Sequence, residues 1–258
     1  MSDVITVFDV GAFEGFSGIW DELGPNVELI GVDPFEEAGL RYGKFNRKEI
    51  TFREVVGDED REDVDFYLSR NNHASSLFKQ NVKLASRFHN FWDGEIISTE
   101  KLHVKNTIEM LHIHNITKFD FLKIDLEGAE LMVMKNLEKI LKDDCVGIFA
   151  ECFFQEYHHN RPLFSEVELY VRSLGYHVFD IQLEKWGRKT NPEPFPVDSK
   201  GNVRPGNAQV MFANVLFLKD PILDENTLSL EQIRKLVTLA NLFNQKDFAD
   251  ELKAHFNL

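Results

Sequence analysis

The chain has 258 residues, 43% of them hydrophobic, which is enough for one large α/β domain or two small ones. Its net charge of −14 argues against nucleic acid as a substrate or partner, because phosphate backbones need a basic footprint, and against a stable anchor on anionic lipid. It contains no apolar run of about 18 residues, so no membrane insertion is expected.

Cysteine usage and the start of the chain bear on its compartment. Cys145 and Cys152 lie in or beside apolar runs and are predicted to be core thiols. Residues 1–3 include the acidic Asp3 and run straight into the first predicted strand, so no signal peptide is expected. Two core thiols with no disulfide framework are typical of the reducing cytoplasm, which is the predicted localisation.

The chain is organised around an apolar run at residues 4–8 that ends at Asp9 and enters a turn rich in glycine, with Gly11, Gly15 and Gly18. A buried strand that ends at an acid and leads through glycines into a helix is typical of a nucleotide site, although a plain turn has the same pattern. Gly11 and Gly15 are four residues apart, unlike the G-x-G-x-x-G of dinucleotide folds, and Asp9 would repel a pyrophosphate. Its carboxylate would attract the amino group of S-adenosylmethionine instead.

A second predicted strand, at 27–32, ends at Asp33. An acid at the tip of the second parallel strand can accept hydrogen bonds from both ribose hydroxyls of a nucleoside. Phe35 could pack on an adenine face, and a place in the core is equally compatible with the sequence. A third strand, at 50–56, ends at Gly57 and Asp58, where the acid could accept the adenine amino group or simply belong to a turn.

The rest of the chain alternates strands and helices without an internal repeat. Thr107 is predicted to cap one helix, and Ser165 with Glu168 to form a capping box. The predicted strands at 176–181 and 210–218 have no helix between them and should pair antiparallel. Further predicted strands lie at 63–69, 119–124, 146–150, 176–181 and 210–218, and helices at 16–23, 36–45, 107–114, 127–141 and 165–174.

The chain is predicted to divide into residues 1–221 and a C-terminal helical pair at 222–258. The region at about 58–103 shows little regular signal and is interpreted as an insertion. The segment 187–208 is polar and rich in Pro and Gly, which predicts a functional or disordered loop. The terminal helices offer a possible homo-oligomer interface.

Acids gather at two further strand tips. Asp125 follows the strand at 119–124, and Glu127 and Glu130 open the next helix, where an acid can also simply stabilise the helix N-terminus. Glu151 follows the predicted strand at 146–150. All of them are expected at the carboxyl edge of the sheet, where open α/β sheets bind ligands.

The chain carries, in order, FDVGAFEG, GVDPF, NNHASSL, FLKIDLEGAE and IFAEC. From about residue 4 to residue 218 it therefore resembles the FkbM family of S-adenosylmethionine-dependent class I methyltransferases. KIDLEGAE is the most specific of these motifs, and Phe13 departs from the Asn that the family often has. The resemblance implies a Rossmann-like, doubly wound α/β fold with a mostly parallel seven-stranded sheet and an antiparallel last strand. The cofactor-binding residues expected on these grounds are Asp9, Gly11, Ala12, Phe13, Gly15, Asp33, Pro34, Phe35, Gly57, Asp58, Ser75, Ser76 and Asp125.

The resemblance further implies O-methylation of a sugar, glycoconjugate or related natural product, with a small-molecule or saccharide acceptor. An alkyl hydroxyl is a poor nucleophile and needs a base; Asp125, Glu127, Glu151 and His158 are the candidates. Asp125 and Glu151 could instead bind a divalent cation, but no third acid stands beside Glu151 in the sequence. Metal-independent transfer is therefore expected, with Asp125 or Glu127 as base and Glu151 or a histidine orienting the acceptor. A nicotinamide-dependent oxidoreductase and a non-catalytic nucleoside-binding module are the alternatives.

Overall fold

The computed structural model describes residues 4–13, 15–35, 47–92, 94–190, 208–224 and 228–258. The helix predicted at 36–45 and most of the loop predicted at 187–208 lie outside these ranges. No helix within them is both long and apolar enough to cross a membrane.

Seven strands form the main sheet in the order β3-β2-β1-β7-β8-β10-β9. The pairs from β3 to β8 are parallel, and β10 is antiparallel to both β8 and β9. The predicted mostly parallel, doubly wound sheet with an antiparallel last strand is confirmed. Its strands are β1 (Ile5–Val10), β2 (Val27–Val32), β3 (Glu49–Phe52), β7 (Phe121–Ile124), β8 (Gly147–Phe153), β9 (Tyr176–Trp186) and β10 (Gln209–Lys219).

A second, three-stranded sheet has the order β4-β6-β5, with β4 at Val55–Gly57, β5 at Arg61–Ser69 and β6 at Ile96–Asn106. The prediction of one strand over 50–56 is wrong, because its two halves belong to different sheets. The prediction of little regular structure over 58–103 is wrong as well, since β5 and β6 pair antiparallel there. β6 is largely exposed, so its sequence lacks the apolar alternation that would have marked it as a strand.

Several helix predictions need correction. The helix predicted at 16–23 is a 3-10 helix, Gly18–Asn26, that is kinked at Gly24. Asn106, not Thr107, caps the next helix, because its side chain accepts a hydrogen bond from Glu109 N at 3.1 Å. The helix expected to reach residue 141 is broken at Leu137. The seven α-helices of the described ranges are α1 (Val82–Ala85), α2 (Thr107–Ile113), α3 (Glu130–Asn136), α4 (Glu138–Asp143), α5 (Phe164–Ser173), α6 (Leu230–Leu242) and α7 (Lys246–Phe256).

The capping box of α5 is also shifted. The sequence predicts Ser165 and Glu168 at these positions, but the helix begins at Phe164, and the Glu166 carboxylate accepts a hydrogen bond from Leu163 N at 2.9 Å. Ser165 lies inside the helix, and Glu168 pairs with Arg172 at 2.9 Å one turn further on. An acid near the helix N-terminus satisfies a backbone N–H without a Ser or Thr at the cap.

The C-terminal pair of helices is confirmed, and it covers one face of the main sheet. Leu236, Leu239 and Leu252 are buried in the same apolar cluster as Val7 and Phe121 of the sheet. The apolar faces of α6 and α7 are therefore already covered within the chain. Oligomerisation through these helices stays a prediction.

A buried ion pair fastens α6 to the sheet. Lys235 Nζ lies 2.9 Å from Asp120 Oδ1, and Asp120 Oδ2 accepts a hydrogen bond from Thr6 N at 2.8 Å. The carboxylate thus joins the helix to the starts of β1 and β7. Cys145 and Cys152 are buried free thiols, as predicted.

Candidate active site

A cavity of about 620 Å³ opens at the carboxyl ends of the parallel strands. Asp9 and Gly11 reach it from β1, Asp33 from β2, Asp125 from β7 and Glu151 from β8. This is where an open α/β sheet binds its ligands, because the loops that leave neighbouring strands diverge there. Its volume lies in the range of about 300–1,000 Å³ typical of small-molecule pockets.

The turn after β1 needs glycine at Gly11. Its φ is +85°, and a Cβ there would stand 1.9 Å from the carbonyl oxygen of Asp125. The strands meet this closely because Asp125 N donates to Val10 O at 2.9 Å, while Gly11 N donates to Val32 O at 2.9 Å. Gly11 therefore closes the tips of β1, β2 and β7 into one floor beneath the cavity.

Asp9 has a partner that the sequence reasoning missed. Lys123 Nζ lies 3.1 Å from Asp9 Oδ1 and donates to Gly11 O at 3.1 Å. Burial raises the pKa of Asp9, and Lys123 counteracts that shift. Burial would lower the pKa of Lys123, but Asp9 and then Asp125 outweigh it and raise that pKa. The end of β1 therefore presents an ion pair rather than an isolated carboxylate.

Asp33 lies at the tip of β2 and is 7% exposed. Its Oδ1 accepts a hydrogen bond from Phe35 N at 2.9 Å, and burial raises its pKa to about 6. Phe35 packs edge-on against Phe13, with centroids 5.4 Å apart, and lies 6.2 Å from the ring of Phe66. A carboxylate thus stands beside an aromatic wall, as a nucleoside site requires.

The expected cofactor residues fall into two groups. Ala12, Gly57, Asp58 and Ser76 are not part of the cavity wall that the structure describes; residues 54–56 reach it in place of Gly57 and Asp58. The carbonyls of Gly57 and Asp58 instead accept side-chain hydrogen bonds that fasten β4 to neighbouring elements. The expected residues that do line the cavity are Asp9, Gly11, Phe13, Gly15, Asp33, Pro34, Phe35, Ser75 and Asp125.

Glu127 stands on the cavity wall in a left-handed backbone conformation, with φ +52°. Ser76 holds the turn, because its Oγ donates to Glu127 O at 2.8 Å. Glu127 Oε2 is buried and has no hydrogen-bond partner within the described residues. Burial, then Asp125, raises the pKa of Glu127 to about 8. A non-glycine residue held in this conformation costs about 1–3 kcal/mol and points to a functional turn.

Glu130 behaves differently. Its Oε1 accepts from Leu126 N at 2.9 Å and from Gly128 N at 3.0 Å, so it stabilises the turn that leads into α3. The helix-stabilising role considered for both acids therefore applies to Glu130, whereas Glu127 makes no such bond to a backbone N–H of the described residues. Glu130 also supplies the third acid that the sequence did not place beside Glu151. Asp125, Glu130 and Glu151 each bring a carboxylate oxygen within 4.8 Å of the other two.

His158 is buried and does not belong to the described cavity wall. Arg161 Nη1 lies 3.2 Å from His158 Nδ1, and because arginine only donates, Nδ1 must accept and the proton stands on Nε2. Burial, then Arg161, lowers the pKa of His158 well below its ordinary value, so the ring stays neutral. Its catalytic role stays a prediction.

Three residues that shape the site were not predicted from the sequence: Lys123, Glu130 as a member of the acid cluster, and Arg161. Arg161 is buried over the ring of Phe153, 3.6 Å from its centroid, and lies 3.7 Å from Glu130 Oε2. Lys123 opens the KIDLEGAE motif and lies inside an apolar strand. A lysine in a buried strand is almost always paired, and this could have indicated its partnership with an acid. Nothing in the local sequence marks Arg161, which comes from the loop after β8.

The strand order, the glycine turn at β1 and the carboxylates at the strand tips define a Rossmann-like methyltransferase. The sequence matches the family described as "Methyltransferase FkbM domain" over residues 9–178, and the chain belongs to this family. It is a methyltransferase, and S-adenosylmethionine is its cofactor. The oxidoreductase and non-catalytic alternatives are thereby set aside.

Among solved structures, the chain is similar to an S-adenosylmethionine-dependent methyltransferase from Methanosarcina mazei. Identity is 9%, the match covers 85% of this chain and 94% of the other, and the TM-score is 0.35. A comparison with curated proteins gives no match.

The residues around the cavity fit this cofactor. The Asp33 carboxylate can accept hydrogen bonds from hydroxyl groups, and Phe35 offers an aromatic surface beside it. Ser17 and Gly18, at the start of the 3-10 helix after β1, also reach the cavity.

Proposed function

We propose that the chain transfers the methyl group of S-adenosylmethionine to a hydroxyl group of a sugar, glycoconjugate or related natural product. The observation that carries this proposal is the charge of the cavity wall. Among its described residues, seven are Asp or Glu, and Lys123 is the single Lys or Arg. Since Lys123 is already paired with Asp9, the described wall offers a phosphorylated or carboxylated acceptor no free Lys or Arg to pair with. A neutral polyol fits this wall better.

Aromatic side chains at the far end of the cavity support the same substrate class. Trp186 and Phe212 are partly exposed there, backed by the buried Phe153 and Tyr157. Phe153 stacks on Phe212 with centroids 4.9 Å apart, which holds this surface flat. Such a surface can contact the carbon face of a sugar ring, while Glu184 at its edge can accept hydrogen bonds from hydroxyl groups.

The cofactor would be held by groups at three strand tips. Asp33 would accept from the ribose hydroxyls, Phe13 and Phe35 would border the adenine, and Asp9 with Lys123 would meet the methionine end. These roles combine charged hydrogen bonds with apolar contact, as in other small-molecule sites. When bound, S-adenosylmethionine supplies an electrophilic methyl group on a positively charged sulfur.

Glu127 is the proposed base. An acceptor hydroxyl must lose its proton as its oxygen bonds to the methyl carbon and the sulfur–carbon bond breaks; the proton goes to Glu127 Oε2, and sulfur keeps the electron pair. That oxygen is buried and has no hydrogen-bond partner within the described residues, and the raised pKa makes the carboxylate a stronger base. Asp125 on the same wall is the alternative, and Glu151 would orient the acceptor.

The test is a methyl-transfer assay with matched acceptors: a neutral sugar and its phosphorylated and uronic acid forms. The neutral sugar should be methylated, with product mass raised by one methylene group, and Glu127→Gln should lower kcat by about 100-fold or more with cofactor affinity unchanged. A preference for the anionic acceptors would contradict the assignment of a neutral polyol. Unchanged kcat in the variant would contradict Glu127 as base.

A further inference from the structure

Four carboxylates converge on one side of the cavity, more than the proposed transfer chemistry needs. Asp125, Glu127 and Glu151 line the cavity. Glu130 is not among the described lining residues, but it brings a carboxylate oxygen within 4.8 Å of those of Asp125 and Glu151. Glu130 and Glu151 are buried. Buried carboxylates this close repel one another strongly unless protons or a cation compensate them.

The cations of the described residues do not fully compensate the group. Lys123 pairs with Asp9 at 3.1 Å. Arg161 Nη2 lies 3.7 Å from Glu130 Oε2 and its Nη1 lies 3.9 Å from Glu127 Oε2, and both distances are too long for a hydrogen bond. The hydrogen bond of Nη1 goes to His158 Nδ1.

Glu151 supplies the observation that points to a ligand. Its side chain lies on the cavity wall, yet the residue is only 7% exposed. Its Oε2 is buried and has no hydrogen-bond partner in the described part of the chain. A buried carboxylate oxygen without a hydrogen-bond partner, on a residue that lies close to two other carboxylates, is costly to maintain unless something binds it.

We propose that Asp125, Glu130 and Glu151 bind a divalent cation of the hard, oxygen-seeking type: Mg²⁺, Mn²⁺ or Ca²⁺. The three donors are all carboxylates, with no thiolate or imidazole in the group, which is the ligand chemistry of these ions. Because these oxygens lie within 4.8 Å of one another, some point lies no more than about 2.8 Å from all three, close to the oxygen distances of about 2.3–2.6 Å around Ca²⁺. A contraction of a few tenths of an ångström completes the three contacts.

This site deepens the proposed function and rests on it for its role in transfer. A cation held by three protein ligands keeps open positions toward the cavity, where an acceptor hydroxyl can bind and have its pKa lowered. Glu127, outside the group of three, remains free to take the proton. The expectation of metal-independent transfer depended on the lack of a third acid, and Glu130 removes that reason.

Binding is tested directly, without cofactor or acceptor, so that the result does not depend on the proposed methylation. Mn²⁺ is titrated into the full chain, and the free ion is followed by electron paramagnetic resonance. One saturable site per chain is expected, with competition by Mg²⁺ and Ca²⁺. Glu151→Gln should weaken Mn²⁺ binding by about tenfold or more, and Glu184→Gln, the same charge change on the same cavity wall, should not.

Two outcomes would overturn the proposal: no saturable Mn²⁺ site in the unmodified chain, or equal affinity in Glu151→Gln. Asp125→Asn serves as the second variant and should weaken binding in the same way. Thermal denaturation in EDTA checks that each variant is folded, and Mn²⁺ should raise the midpoint of the unmodified chain but not that of Glu151→Gln. Failure to methylate neutral sugars would count against the proposed function and leave the Mn²⁺ result standing.

Discussion

Replacement of Asp33 by alanine tests the cofactor end of the site most directly. Its Oδ1 already accepts from Phe35 N at 2.9 Å, so the second oxygen is the one with capacity for a ribose hydroxyl. A hydrogen bond to a charged group contributes about 1.5–3 kcal/mol, so losing one should weaken S-adenosylmethionine binding by about 10- to 150-fold. Losing bonds to both hydroxyls would multiply the effect.

Isothermal titration calorimetry with S-adenosylmethionine measures this loss. Asp33→Asn keeps an acceptor for Phe35 N but removes the charge, and should fall between the unmodified chain and Asp33→Ala. Asp65→Ala is the control, because Asp65 is half-exposed on β5, is not among the described cavity residues and pairs with Lys101 at 2.7 Å. Equal affinity in a folded Asp33→Ala would refute the assignment of Asp33 to the ribose.

The raised pKa adds a second signature. Below about pH 6, Asp33 binds a proton in the free protein and ceases to be a charged acceptor. Its contribution to S-adenosylmethionine affinity is therefore present above pH 6 and lost as the pH falls. A titration from pH 8 to pH 5 should show a decline that is absent from Asp33→Asn. Parallel profiles for the two proteins would contradict this reasoning.

Three further predictions concern the same floor and wall. Lys123→Met leaves the buried Asp9 without its cation and should cost about 3 kcal/mol of unfolding free energy, measured in urea at pH 7; an unchanged midpoint would show that the pair is dispensable. Glu127→Gln removes a buried charge, so it should raise the thermal midpoint measured in EDTA above pH 8. The gain should vanish below pH 4.5, where Glu127 is neutral in the folded and the unfolded chain, as the glutamine is. A gain that persists in acid would point to packing instead. Gly11→Ala should lower the free energy of unfolding by more than about 2 kcal/mol. Gly18→Ala should not, because no described atom lies within 4 Å of its added Cβ. Equal free energies of unfolding for the two variants would contradict the close approach at β1.

The proposed cation site and the proposed acceptor surface lie in different parts of the cavity. The acid group lies at the tips of β7 and β8, and the aromatic surface of Trp186 and Phe212 belongs to the strands β9 and β10 at the edge of the main sheet. An acceptor that spans both would place one hydroxyl near the acids while its ring contacts the aromatic side chains. Variants of Phe212 should therefore raise the KM for the acceptor with little effect on Mn²⁺ affinity.

The main sheet was largely readable from the sequence. Parallel strands buried on both faces appear as short apolar runs, and β1 and β2 each end at an acid that is visible in the chain. The second sheet was not readable in the same way. β6 is exposed along most of its length, and a strand with polar residues on both faces leaves no periodicity to detect.

Local sequence determined which acids stand at the strand tips, because a strand, a turn and a helix start are each coded within a few residues. It could not determine which charges meet. Lys123 reaches Asp9 across 114 residues of chain, and Arg161 reaches Glu127 and Glu130 from the loop after β8. Two acids that are close in sequence also differ in their bonding. Glu130 accepts hydrogen bonds from the backbone N–H groups of its own turn, whereas Glu127 Oε2 has no hydrogen-bond partner in the described structure and meets Arg161 only at 3.9 Å. Pairing depends on distances of a few ångströms between different strands, and only the packing of the sheet sets those distances.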